Sequence, residues 1–140
     1  MTEENNLQTT EQQSENTVKI YSKRAIFGFS AFFMPVFGGV LLRQNLIDYK
    51  MKKEANIVLL VSIGLQALIF IILEIIPIST SVLTLVLNMG GGAVLSEYFF
   101  KKYFPNEIYE RKKIWKPLII SLIITIPLVL ALFYETLYAN

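Results

Sequence analysis

The sequence contains neither cysteine nor histidine. Without cysteine, the chain has no disulfide bond and no thiol nucleophile. Without histidine, it lacks the commonest metal ligand and the commonest general base. The sequence also lacks a phosphate-binding glycine loop, a dinucleotide-binding fingerprint and a serine-hydrolase motif. We therefore expect a protein that is not an enzyme and that uses no cofactor and no metal.

Lysine and arginine are missing from four apolar stretches, which are residues 25–42, 55–76, 81–96 and 118–134. About 20 apolar residues are enough for a helix to cross roughly 30 Å of hydrocarbon. A helix of a soluble protein would carry a polar face, and most of these stretches have none. We predict one all-α domain over residues 18–140, an integral membrane helical bundle with helices at about 25–42, 55–76, 79–104 and 117–134.

Residues 1–17 are almost entirely polar or acidic, and they contain four glutamates and no cation. Such a segment cannot bury enough apolar surface to offset the entropy lost on ordering. We predict a disordered, solvated tail; the alternative is an acidic tail that binds a partner.

The first apolar stretch has two interpretations. Pro35 lies near its middle and Gly38 and Gly39 follow, which is compatible with a kinked spanning helix or with a re-entrant pair of half-helices. Its length favours a spanning helix, although that arrangement would leave three cations on one side and ten on the other. Re-entry would place all thirteen lysines and arginines in the cytoplasm, as the positive-inside rule favours. We predict four transmembrane helices, with three plus one re-entrant segment as the alternative.

The third apolar stretch carries a small and polar stripe. Thr84, Asn88, Gly92 and Ser96 recur every fourth residue and therefore lie along one helix face, with Gly91 beside them. Lipid offers no partner to an amide or to a bare glycine surface, so this face is predicted to pack against another helix.

Polar residues inside the apolar stretches are further candidates. Gln66 lies near the middle of the second stretch and can meet Asn88, either as a structural hydrogen bond or along a polar substrate path. The glycine run at residues 90–92 indicates close packing or a broken helix. Glu74 is an isolated acid, and a carboxylate costs about 2.5–3.5 kcal/mol at the bilayer centre. Pro77 follows soon after, so Glu74 is an interfacial anchor or an ion-handling group.

The later polar segments combine cations with aromatic rings. This composition is typical of the membrane interface, where rings lie at headgroup depth and cations face anionic lipid. We interpret these residues as lipid-headgroup contacts and not as a nucleic-acid surface; they are Lys101, Lys102, Arg111, Lys112, Lys113 and Trp115.

Several short motifs resemble those of small bacterial multi-helix membrane proteins that have no assigned function. The motifs are Ile20-Tyr21-Ser22, Phe37-Gly38-Gly39, Leu41-Leu42, Asn45-Leu46, Glu97-Tyr98-Phe99-Phe100 and Lys116-Pro117-Leu118. The resemblance implies a multi-pass protein of the bacterial inner (cytoplasmic) membrane and implies no activity. The chain length is also similar to that of small multidrug transporters, but those keep an essential glutamate in their first helix, and this first stretch has no acid.

The functional hypothesis is a small non-enzymatic scaffold or accessory subunit in the lipid bilayer. It would associate with another membrane protein, or with itself, through the small face of the third helix. The alternative is a small transporter or channel subunit that uses Glu74, Asn88 and a helix break at residues 90–92.

Overall fold

The computed structural model describes residues 18–77, 81–105 and 109–139. The predicted tail at residues 1–17 lies outside this part of the chain. Five helices follow one another: α1 Lys23–Phe32, α2 Pro35–Asp48, α3 Lys52–Ile75, α4 Ser81–Tyr103 and α5 Trp115–Tyr138. Two short strands, β1 Lys19–Ile20 and β2 Glu110–Arg111, pair in parallel. The prediction of an all-α fold is confirmed.

The first apolar stretch is two helices, not the single helix predicted at residues 25–42. Helix α1 ends where the N–H groups of Phe33 and Met34 both donate to the carbonyl of Phe29, at 3.0 and 3.3 Å. Met34 then adopts a φ of 147° and Pro35 opens α2. Proline explains the break, because its ring disfavours a helical residue before it and its fixed φ suits the first position of a new helix.

Helices α1 and α2 form an antiparallel hairpin. Ser30 near the end of α1 contacts Gly38 near the start of α2. At the opposite end, the Asn45 side chain of α2 binds the backbone of Tyr21, which precedes α1. Ten and fourteen residues give helices of about 15 and 21 Å, well short of a hydrocarbon core of about 30 Å.

Three helices in the described part of the chain are long and apolar enough to cross a membrane. They are α3, α4 and α5, with 24, 23 and 24 residues. The structure therefore does not confirm four spanning helices. Their predicted positions, residues 55–76, 79–104 and 117–134, agree closely with the observed helices, although residues 79 and 80 lie outside the described residues.

A network of polar contacts gathers distant segments at one end of the molecule. Asn45 accepts a hydrogen bond from the Tyr21 N–H at 2.7 Å and donates one to the Tyr21 carbonyl at 2.9 Å. Lys112, just after β2, donates to Asp48 at the end of α2 at 3.0 Å. Lys23 forms an ion pair with Glu97 of α4. We call this region the basic end; it comprises residues 18–24, 43–54, 97–105 and 109–116 and contains all thirteen lysines and arginines.

The apolar core also lies towards the basic end. It joins β1 and the first four helices through buried side chains, which include Ile20, Ile26, Leu42, Leu46, Val58, Leu95 and Phe100. Leu118 near the start of α5 packs against this cluster. From Ile126 to Ala139, every residue of the chain is exposed. Only the first half of α5 is therefore held by the rest of the protein.

Candidate functional site

Ser30 is the point at which three helices meet. It is fully buried on α1, and its hydroxyl donates to the carbonyl of Ile26 at 2.8 Å. Gly38 of α2 packs against this side chain so closely that a Cβ atom would overlap the hydroxyl. A Cβ atom at Gly92 of α4 would lie 2.7 Å from the Ser30 Cβ and 3.2 Å from the Phe27 carbonyl oxygen. Glycine is thus required on both helices that face Ser30.

Two further glycine contacts complete what we call the seam, which consists of Ser30, Pro35, Gly38, Gly39, Ser62, Gly91 and Gly92. Gly39 of α2 packs directly on Ser62 of α3, leaving no room for a side chain. A Cβ atom at Gly91 would lie 2.6 Å from the Pro35 Cγ. The hairpin is therefore packed between α3 and α4 by small residues, which allow helix backbones to approach closely.

The predicted stripe of α4 faces the hairpin. Asn88, Gly92 and Ser96 are buried and Thr84 is partly buried. Gly91 is buried as well, against Pro35, whereas a Cβ atom at the neighbouring position 90 would have nothing within 4 Å. The stripe is buried inside the chain, and it does not remain available for the intermolecular association that the sequence suggested.

The glycine run does not break its helix. Residues 90–92 are α-helical within Ser81–Ala93, and α4 continues beyond them. The irregularity comes immediately afterwards, where Val94–Phe100 forms a π-helix. Of the two interpretations of the run, close packing is what Gly91 and Gly92 show, and the alternative of a broken helix at residues 90–92 is corrected to a π-helical segment that begins at Val94.

Gln66 and Asn88 are each only 7% exposed, yet their side-chain oxygens have no hydrogen-bond partner within the described residues. Because both carbonyl oxygens are unpaired there, no hydrogen bond joins the two amides to each other. Gln66 lies on the same face of α3 as Ser62 and Ile69, and Asn88 lies one turn from Gly91 on α4. Gln66 is thus one turn from Ile69 and Asn88 one turn from Gly91, and Gly91 approaches both Ile69 and Pro35 at the tip of the hairpin.

Glu74 is exposed in the last turn of α3, one residue before its end. It lies five residues beyond Ile69, the residue of α3 that approaches Gly91. The structure therefore does not bring Glu74 into the seam. Across residues 18–77, 81–105 and 109–139, no group of three acidic side chains is arranged to hold a metal ion.

The basic end contains a cleft of about 920 Å³ between the start of α1, the last turns of α4 and the segment around β2. Four cations line it, namely Lys23, Arg24, Lys101 and Arg111. Its remaining walls are largely aromatic, formed by Phe27, Phe100, Phe104 and Tyr109. We call this cavity the basic cleft.

Glu97 is the acidic residue that lines the basic cleft. Its carboxylate forms ion pairs with both Lys23 and Lys101. Arg24 and Arg111 are exposed and form no ion pair within the described part of the chain. Among the described residues, the lining of the cleft therefore carries an excess of positive charge, and neither of its arginines has an acidic partner there.

Of the six predicted headgroup residues, two line the basic cleft and four lie outside it. Lys101 and Arg111 line the basic cleft, whereas Lys112 is bound to Asp48 and lies 5.1 Å from the centre of the Tyr21 ring. Lys102 lies 5.7 Å from the ring centres of Tyr98 and Tyr103.

Lys113 and Trp115 are exposed outside the cleft. Arg24 belongs to this cavity although it was not predicted from the sequence as a headgroup contact. A signal was present in Ser22, a helix N-cap residue immediately before two cations.

Comparison with protein families, with curated proteins and with solved structures finds no match to this chain.

The seam generates a test with a matched control on one helix. We expect Gly92→Ala to destabilise the protein by about 1–3 kcal/mol, because its methyl group would overlap Ser30. Gly90→Ala adds the same methyl group in open space, and should be neutral or stabilise the helix by up to about 1 kcal/mol. Thermal unfolding in detergent, followed by circular dichroism, measures both. Equal unfolding midpoints for the two variants would contradict the close packing of Gly92 on Ser30.

Proposed function

We propose that this chain is a small non-enzymatic integral membrane protein that crosses the bilayer three times. The distribution of side chains supports the proposal. Buried positions hold Ser30, Ser62, Gln66 and Asn88, while large apolar side chains such as Leu60 point outward. Water would favour the opposite arrangement, whereas lipid accepts an apolar exterior and requires polar groups to be turned inward.

In this proposal the hairpin of α1 and α2 enters the membrane from the basic end and returns to it. The positive-inside rule then places the basic end in the cytoplasm and the link between α3 and α4 outside. With four spanning helices, three cations would lie on the outer side of the membrane. In this topology all thirteen lie on the cytoplasmic side, so no cation has to be translocated. We assign the protein to the cytoplasmic membrane as a multi-pass protein.

Cysteine labelling tests this topology, and the chain has no native cysteine to interfere. We would introduce single cysteines at Val18, Lys50 and Lys113 on the basic end, and at Pro77 and Ala139 on the other side. A membrane-impermeant maleimide added to intact cells should label only the last two variants. Permeabilised cells, in which all five should react, provide the control. Labelling of Val18→Cys without Lys50→Cys would show that the hairpin region crosses the membrane.

The proposed role is that of an accessory subunit, and the observation that carries it is the exposure of α5. Helices α3 and α4 each pack one face on the hairpin, but residues 126–139 contact no other part of the described chain closely enough to be covered. Pro127 lies at the start of this exposed half and has no N–H, so the carbonyl of Ile123 loses its usual helical donor. Hydrocarbon supplies no hydrogen-bond donor to such a carbonyl, and a neighbouring helix is one of the groups that can supply it. We therefore assign α5 to contact with a transmembrane helix of another protein.

Site-specific photo-crosslinking in cells distinguishes a protein neighbour from lipid. We would place a photoreactive amino acid at Leu130 on α5 and, as a matched control, at Leu60 on α3; these side chains are 62% and 70% exposed. We expect a discrete protein adduct from Leu130 and none from Leu60. Lipid adducts alone at both positions would contradict the accessory role, and an adduct of twice the chain mass would replace it with self-association.

A second candidate function, a small transporter or channel subunit, is favoured by the unpaired oxygens of Gln66 and Asn88. Buried acceptors beside a half-helix tip resemble the polar sites of transporters built from re-entrant or broken helices. Proteoliposomes with an entrapped pH-sensitive dye and a sodium gradient would detect proton flux. We expect a Gln66→Leu, Asn88→Leu double variant to abolish the flux and the exposed Glu74→Gln variant to retain it. Wild-type vesicles without any flux would contradict this candidate.

A further inference from the structure

We propose that the basic cleft binds the phosphate of an anionic phospholipid headgroup. The inference rests on the proposed membrane integration but is independent of the accessory role of α5. It replaces the general headgroup contacts expected from the sequence with one defined ligand site, which includes Arg24.

The charges of the cleft favour an anion. Glu97 is shared by Lys23 and Lys101, so these three groups compensate one another in part. Arg24 and Arg111 line the same cavity from different segments, one at the start of α1 and the other in β2. Guanidinium groups bind phosphate oxygens in a bidentate manner, and two of them can hold one phosphate from opposite sides.

The backbone of α1 contributes to the same end of the cavity. Ser22 lines the cleft and caps the ten-residue helix by accepting a hydrogen bond from the Ala25 N–H at 3.2 Å. The first turn of α1 contains no acidic residue that would occupy the positive end of the helix. That end favours negative charge and supplements the two arginines.

The aromatic walls favour a lipid over a soluble phosphate. Phe27 and Tyr109 are partly exposed and give the cleft an apolar surface, which a free phosphate ion would not use. A phospholipid presents a phosphate joined to a glycerol and acyl chains, so it matches a basic wall beside an apolar one. A volume of about 920 Å³ is ample for such a headgroup. The basic end also lies where headgroups occur in the proposed topology.

The test compares two charge-matched double variants of the full chain. R24Q/R111Q removes the two arginines of the cleft, and K52Q/K53Q removes two exposed cations from the same end of the molecule, outside the cleft. Each protein is reconstituted in nanodiscs of phosphatidylcholine with a minor fraction of phosphatidylglycerol. Native mass spectrometry after release then counts the phosphatidylglycerol retained.

We expect R24Q/R111Q to lower the affinity for phosphatidylglycerol about tenfold or more, because it removes the bidentate contacts to the phosphate, and K52Q/K53Q to retain wild-type binding, because its lysines lie outside the cleft. Equal losses in both variants would indicate diffuse attraction and overturn the site, as would unchanged binding in both. Inorganic phosphate added to the detergent-solubilised protein provides the second arm. Stabilisation by phosphate equal to that by phosphatidylglycerol would overturn the assignment to a lipid. Failure of the wild-type chain to enter nanodiscs would instead contradict the membrane proposal itself.

Discussion

The contact of Ser30 with Gly38 and Gly92 is the constraint on which the rest of the arrangement depends. The backbones of α2 and α4 both pack directly against α1 at this residue. Neither Gly38 nor Gly92 has room for a Cβ atom. Because α1 and α2 pack as an antiparallel hairpin, the end of α2 lies beside the start of α1, at the basic end. Asn45 can then bind the backbone of Tyr21, and β1 can pair with β2 beyond α4. The basic end is thus a consequence of a packing contact elsewhere in the hairpin.

The buried serines Ser30 and Ser62 form their hydrogen bonds within their own helices. Ser30 and Ser62 donate to carbonyls of their own helices, at 2.8 Å in both cases. Each can therefore present a small surface to a neighbouring helix without requiring a polar partner there. Gln66 and Asn88 differ, because their amide oxygens remain unpaired within the described residues. An unpaired buried acceptor costs about 1–3 kcal/mol, so both side chains are costly polar groups of the interior.

The sequence predicts much of this fold through local rules. Uninterrupted apolar stretches indicated the three long helices, and the four-residue spacing of Asn88, Gly92 and Ser96 identified the face of α4 that is buried. The partner of that face was not predictable, because it is a hairpin whose existence depends on the conformation of Met34. Pro35 alone is compatible with a kink or with a break. Between the two, the distribution of cations pointed to re-entry while the length of the stretch pointed to a span, and the observed hairpin agrees with the cations.

The basic cleft could not be predicted from the sequence for a different reason. Its arginines are far apart in the chain and line one cavity because β1 pairs with β2, a contact of two residues in each strand that no periodicity indicates. The same cations also have a second role in the proposed topology, since they keep the basic end in the cytoplasm. Orientation depends on how many cations lie near the ends of the spans, whereas ligand binding depends on which of them share a cavity. Orientation and ligand binding are therefore separable. Lys52 and Lys53 contribute only to the number of cytoplasmic cations, whereas Arg24 and Arg111 contribute to that number and also line the cavity.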